Sequence, residues 1–188
     1  MSFHEGLDDL GTYYQIRKVD GTTPILFIHG VGLDHSMWSP QTDFFKNQTT
    51  IVYDLIGHGY STCTQHEVNL EAFSRQIESW WQILRIQKVI IIGFSLGGLI
   101  AAHFSSTRKH YALKTVLFGT IFNRTDEQQK KAAERFINIQ ETYLNASQQL
   151  DRWFNQDYLS SHPNIAEKIT NILNNNNHDD FLKSYKLF

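Results

Sequence analysis

The spacing of apolar positions changes several times along the chain. Residues 13–19 (Tyr-Tyr-Gln-Ile-Arg-Lys-Val) and 25–29 (Ile-Leu-Phe-Ile-His) flank Asp20-Gly21, a turn signal, and predict an opening antiparallel pair. The second run is apolar on both faces, as an interior strand requires, and Ile51-Val52-Tyr53 is a third short run. Over residues 70–86 the period lengthens. Phe73, Ile77, Trp80, Trp81 and Leu84 recur at helical spacing, with Asn69 where an N-cap belongs. This amphipathic helix leads into Val89-Ile90-Ile91-Ile92, whose β-branched side chains suit a buried pleated surface. Gly93 follows, then a helical stretch over 96–107, then Val116-Leu117-Phe118 as a fifth strand. Strands alternating with helices predict an α/β fold with a mostly parallel central sheet and helices on both faces.

Beyond Thr120 the strand signals stop. Thr125-x-x-Gln128 has the form of a capping box, and residues 127–145 carry Phe136, Ile139, Tyr143 and Leu144 as an apolar stripe. Shorter helices fit 148–158, 163–173 with Pro163 near the first helical position, and 179 to the end. The asparagine run 174–177 reads as a polar linker.

Composition narrows the function. The 188 residues are 41% apolar and 19% charged, enough to bury a core in one domain. The formal charge of −2 excludes a bulk basic field for nucleic acid or an anionic membrane. Cys63 stands alone, so an internal disulfide is impossible, and nine histidines without cysteine partners make no structural zinc site. Residues 1–10 are too polar for a signal peptide and no run of about 18 apolar residues occurs. A cytoplasmic protein is expected, without metal or cofactor. The N-x-S/T triplets at Asn47, Asn123 and Asn145 then read as chance matches.

Three motifs carry chemistry. Gly93-Phe94-Ser95-Leu96-Gly97-Gly98 lies between a strand and a helix, the setting of a nucleophile elbow, in which glycines two positions either side of the serine clear space for a sharp turn. Ser95 is the expected nucleophile, and the Leu96 amide at the helix start an expected oxyanion donor. His29-Gly30-Val31-Gly32 ends a parallel strand on the same side, so the Val31 amide is the expected second donor. His29 reads as a brace for this loop, because in an elbow of this type the base follows the serine in chain order. Asp54-Leu55-Ile56-Gly57-His58-Gly59-Tyr60-Ser61 completes the set.

In this order and spacing, H-G-x-G, D-x-x-G-H-G-x-S and G-F-S-x-G-G resemble the α/β-hydrolase superfamily. The resemblance implies that Gly30, Gly32, Gly57, His58, Gly59, Gly93 and Gly97 shape turns, and that Asp54 and His58 move no proton. A serine at the elbow argues against haloalkane dehalogenases and epoxide hydrolases, which use aspartate. Residues 32–41, including Trp38, and the run Leu150-Asp151-Arg152-Trp153-Phe154 with His162-Pro163 and 181–187, are similar to 3-oxoadipate enol-lactonases. That similarity implies a core over 1–122 and a helical cap over 123–188. It also implies a small ester or lactone substrate touched by Trp38, Arg152 and Trp153. A surface arginine beside a packing tryptophan is the plainer reading of the last two.

A serine nucleophile needs a base and a carboxylate to orient it. Asp126, His162 and His178 are available, but in no strand-end context. The pattern reads as stopping where the cap ends, with two αβ units of about 50 residues in all still wanting. The expectation is a serine hydrolase lacking its base in this chain. The alternatives are a non-catalytic binding or scaffold protein of the same fold, or a carbon–carbon bond hydrolase of the same superfamily.

Overall fold

The computed structural model describes residues 1–64, 66–84, 86–142 and 145–187, apart from the side chains of 80 and 82–84. The side chains of the predicted helix positions Trp80 and Leu84, and the whole of Tyr143 and Leu144 of the later stripe, lie outside that description. Six strands form one sheet: β1 (Ser2–Leu7), β2 (Tyr13–Lys18), β3 (Ile25–Ile28), β4 (Thr50–Tyr53), β5 (Val89–Phe94) and β6 (Ala112–Phe118), in the order β1-β2-β4-β3-β5-β6. β4, β3, β5 and β6 run parallel, whereas β1 and β2 are antiparallel additions at one side.

The predicted pairing of residues 13–19 with 25–29 is therefore corrected. β2 pairs antiparallel with β1 and β4, and β4 separates it from β3. The reason is coverage. All four residues of β3 are buried, so it takes the centre, while β1 is mostly exposed and gives no apolar signal. Side-chain alternation across β3, β4 and β5 divides the core in two. Leu26, Ile28, Ile51, Tyr53 and Ile91 face α2 (Leu70–Leu84) and α3 (Leu96–Thr107), meeting Phe73, Ile77, Trp81, Ile100 and Phe104. Ile25, Phe27, Val52, Ile90 and Ile92 point the other way, onto Met37, Trp38 and Phe45. This second face is covered by a 3-10 turn at His35–Trp38 and by α1 (Ser39–Phe44), both in a stretch that offers no helical period. β6 is the outer strand, with Val116, Leu117 and Phe118 45%, 48% and 62% exposed.

The helices after β6 are α4 (Asp126–Thr142), α5 (Ala146–Trp153), α6 (Gln156–Ser161), α7 (Pro163–Asn174) and α8 (His178–Tyr185). The capping box forms at α4. Thr125 N–H donates to Gln128 Oε1 at 3.0 Å, and Gln128 N–H to Thr125 Oγ1 at 3.3 Å. The predicted helix over 148–158 is split, because the Asn155 side chain takes the Tyr158 N–H at 2.7 Å and starts a new helix. The asparagine run does more than link. Asn176 Nδ2 donates to Gly32 O at 3.0 Å, its Oδ1 accepts from Gly59 N–H at 3.3 Å, and Asn177 caps α8. Ser184 Oγ donates to Ile56 O at 2.6 Å, and Gly57 meets the Asp180 carbonyl so closely that a β-carbon would overlap it. α8 is thereby seated on the loops that leave β3 and β4.

Candidate active site

Parallel strands deliver their outgoing loops to one edge of the sheet. At that edge Ser95 joins β5 to α3 with φ 54° and ψ −116°, the one non-glycine residue with positive φ among those described. Such a backbone costs on the order of 1–3 kcal/mol and needs its surroundings to hold it. The Ser95 N–H donates to Phe118 O at 2.9 Å, and its carbonyl accepts from Gly98 N–H at 2.9 Å and Thr120 Oγ1 at 2.8 Å. A β-carbon on Gly93 would overlap the Gly97 carbonyl, and one on Gly97 would overlap the Ile28 carbonyl. Both positions therefore have room only for glycine. The first N–H groups of a helix have no intrahelical acceptor. Those of Gly98 and Leu99 turn back to Ser95 O, at 2.9 and 3.3 Å, while the Leu96 amide precedes them at the positive end of α3.

The loop after β3 stands opposite. A β-carbon on Gly30 would lie 3.2 Å from Ser95 Cβ and 2.9 Å from the Phe94 ring. Val31 and Ser95 both line a cavity of about 60 Å³, closed by Arg152 and Trp153 of α5 and by Phe181 and Tyr185 of α8. Gly32, with φ 79°, turns the loop away. His29 is fully buried beneath the loop. Its Nδ1 lies 2.8 Å from Gly30 O and its Nε2 accepts from Leu55 N–H at 2.9 Å, which defines a neutral ring with the proton on Nδ1. Burial holds its pKa below the usual histidine range, against the pull of Asp54.

The Asp54 carboxylate organises the third loop. Oδ1 accepts from the His35 backbone N–H and lies beside His35 Nδ1, each at 2.7 Å, and Oδ2 accepts from Tyr60 N–H at 2.9 Å. Burial alone would raise the Asp54 pKa, but the hydrogen bond from His35 and the nearby His29 and His35 rings bring it below the usual value. Burial works against a charge on His35, and the hydrogen bond and charge of Asp54 more than offset it, so the His35 pKa is raised. This is a fixed internal hydrogen-bonded pair, in keeping with a structural role for Asp54, and the sequence reading missed His35 as its partner. His58 Nδ1 lies 3.1 Å from Ile56 O, and its buried Nε2 has no hydrogen-bond partner among the described residues. Its ring packs between His29 and Phe181, with centroids 5.4 and 5.6 Å away. Burial, and after it the neighbouring His29, pushes its pKa down to about 3.

Ser95, Val31, Arg152 and Trp153 thus come together around one cavity. Trp38 does not join them and is corrected to a core residue. It is 5% exposed and packs on Phe27 at 5.1 Å, because its 3-10 turn has to cover the second face of the sheet. Asp126, His162 and His178 also lie off the cavity lining. His162 ends α6 with Nδ1 3.0 Å from Tyr158 O and its ring stacked on Tyr158. No histidine or carboxylate among the described residues lines the Ser95 cavity. Gln149, Phe181 and Tyr185 line it without having been expected there, since only the folding of α5 and α8 over the sheet edge brings them in. Among the described residues no group of three His, Cys, Asp or Glu side chains is placed to hold a metal ion, and no helix is long and apolar enough to cross a membrane.

An alpha/beta hydrolase fold family matches residues 23–164, and the chain belongs to that family. One relative, the (E)-2-((N-methylformamido)methylene)succinate hydrolase of Acinetobacter baylyi, is 27% identical over 166 residues, covering 88% of this chain and 62% of its own length. Another, 3-oxoadipate enol-lactonase 1 of the same organism, is 34% identical over 88 residues, covering 46% of this chain and 33% of its own. The chain therefore spans less than two thirds of these relatives. Among solved structures, the enol-lactonase from Burkholderia xenovorans has a TM-score of 0.84 at 20% identity, over 98% of this chain and 72% of that one, which shows a shared fold.

Proposed function

We propose that this chain carries the nucleophile and the oxyanion donors of a serine hydrolase that acts on a carboxylic ester or lactone. The observation that carries the reading is Ser95 itself, held at positive φ between two glycines, beside the Leu96 amide and facing the Gly30–Val31 loop. Ser95 Oγ would attack the carbonyl carbon as its proton passes to a base. The carbonyl oxygen becomes an oxyanion held by the amides of Leu96 and Val31. Collapse breaks the acyl–oxygen bond, the leaving oxygen takes the proton, and water then hydrolyses the acyl-serine. The helical segment over 123–188 would act as the lid of this site, and Arg152 and Trp153 would hold a carboxylate and a carbon frame.

The described residues offer Ser95 no base, and general-base assistance is worth about 10²- to 10⁴-fold. Slow turnover of p-nitrophenyl acetate by this chain is therefore expected. The test does not depend on turnover. A fluorophosphonate probe at high concentration and long exposure should modify the chain slowly at Ser95, since phosphonylation draws on the same base, with the adduct mapped by peptide mass and abolished in Ser95→Ala. A reactive site elsewhere would end this reading, and no adduct at all would favour a binding or scaffold protein of hydrolase fold.

A further inference from the structure

The end of β6 grips Ser95 on both sides of its strained backbone. Phe118 O accepts the Ser95 N–H at 2.9 Å, and two residues further on Thr120 Oγ1 donates to the Ser95 carbonyl at 2.8 Å. Between them Gly119, with φ 57°, makes the turn that returns Thr120 to the elbow. The Thr120 side chain also occupies the space beside Gly98, where a β-carbon would stand 2.5 Å from Thr120 Cβ. That contact explains why the elbow carries a further glycine after Gly97. The Ser95 carbonyl takes two other donors, the Gly98 and Leu99 amides, at 2.9 and 3.3 Å. Both belong to α3 and hold the carbonyl to its own helix, whereas the shorter bond from Thr120 ties it to the loop that leaves β6.

The Ser95 C=O and the Leu96 N–H are the two ends of one peptide unit. A trans peptide is planar, so the two bonds point in opposite directions and turn together. Whatever aims the carbonyl therefore aims the Leu96 N–H. A donor on the oxygen also draws electrons from the nitrogen, which makes the N–H the stronger hydrogen-bond donor. We infer that Thr120 is a positioning residue for the oxyanion hole, setting the aim and the strength of the Leu96 amide through this peptide unit, an inference that rests on the hydrolase reading given above. As the acyl carbon becomes tetrahedral its oxygen gains charge, and an amide already aimed at that oxygen stabilises it without reorganising. Losing an oxyanion donor outright costs about 10²- to 10³-fold in rate, and misaiming one costs a part of that.

Three variants test the link. Thr120→Val keeps the bulk beside Gly98 and removes the hydroxyl, and Thr120→Ser keeps the hydroxyl. Thr120→Ala takes the place of the valine variant should the thermal midpoint show that valine is not accommodated. The rate constant for fluorophosphonate labelling of Ser95 should fall about tenfold in Thr120→Val and stay within about threefold of the unaltered chain in Thr120→Ser. The nitrogen resonance of the Leu96 amide should move upfield in Thr120→Val and hold its place in Thr120→Ser, because it follows the hydrogen bonding of the carbonyl in the same peptide unit. Full-rate labelling of Thr120→Val overturns the inference, and so does a Thr120→Ser variant labelled as slowly as Thr120→Val. A Leu96 resonance that does not move when the hydroxyl is removed overturns it as well, since slower labelling would then come from packing around the elbow. If Ser95 takes no label in the unaltered chain, the hydrolase reading fails by itself, and the Leu96 resonance still decides whether Thr120 governs that amide.

Discussion

Acid should unfold this protein through His58. In the unfolded chain this ring takes up a proton near pH 6.5, while in the folded chain burial delays uptake to about pH 3. Between those values the unfolded state binds one more proton, so stability falls as pH falls, by about 1.4 kcal/mol per pH unit for this group. From neutrality to pH 4.5 the loss amounts to about 2.6 kcal/mol, a large share of the 5–15 kcal/mol typical of a folded domain. His29, also buried and neutral, acts in the same direction. His35 acts in the opposite one. Its raised pKa makes its contribution fully present below pH 6.5 and lost as pH rises through the folded value. His58 can be isolated by substitution. His58→Leu keeps a side chain of similar bulk against Phe181 and leaves no nitrogen unpaired, although the contact with Ile56 O is lost. Urea unfolding from pH 4.5 to 7 should give a slope of stability on pH about one proton shallower in the variant. Equal slopes would refute the reasoning. Should the variant fail to fold, the His58 ring proton followed by NMR in the unaltered chain decides the matter, and a midpoint above pH 5.5 would contradict it.

The remaining predictions concern the elbow, the seat of α8 and Arg152. Ser95→Gly should be more stable than Ser95→Ala by about 1 kcal/mol, or 2–4 °C in thermal midpoint, because glycine adopts a φ of 54° without strain; the opposite order would show that the turn is unstrained. Gly57→Ala should cost about 2–4 kcal/mol in urea unfolding, since it strains a φ of 76° and drives a methyl group into the Asp180 carbonyl; a loss under about 0.5 kcal/mol would mean that α8 is loosely seated. Arg152→Ala should slow acylation of Ser95 by the p-nitrophenyl hemiester of glutarate about 10- to 100-fold, and leave p-nitrophenyl butyrate within about threefold. Equal effects on the two esters would reduce Arg152 to a support for α5.

Much of this arrangement was legible along the chain because it rests on local chemistry. Period-2 and helical spacing place β3, β4, β5, α2 and α3 within a few residues of where they lie, and Thr125 with Gln128 marks the start of α4. The elbow is legible for the same reason. Gly93 and Gly97 answer to contacts within their own turn and with the adjacent strand, and a parallel sheet must bring the His29–Gly32 loop to the same edge. What stayed hidden depends on partners distant in sequence. Strand order was one such feature, since β2 chooses β4 over β3 only when every buried face in the sheet competes for cover. Trp38 was another. An aromatic residue beside a site motif can serve substrate or core, and only the uncovered face of the sheet decided for the core. His35 and Asp54 are individually unremarkable polar residues until the fold buries them 2.7 Å apart. The same holds for Thr120. A sequence records a hydroxyl but not its acceptor, and this one reaches the Ser95 carbonyl only because β6 pairs with β5.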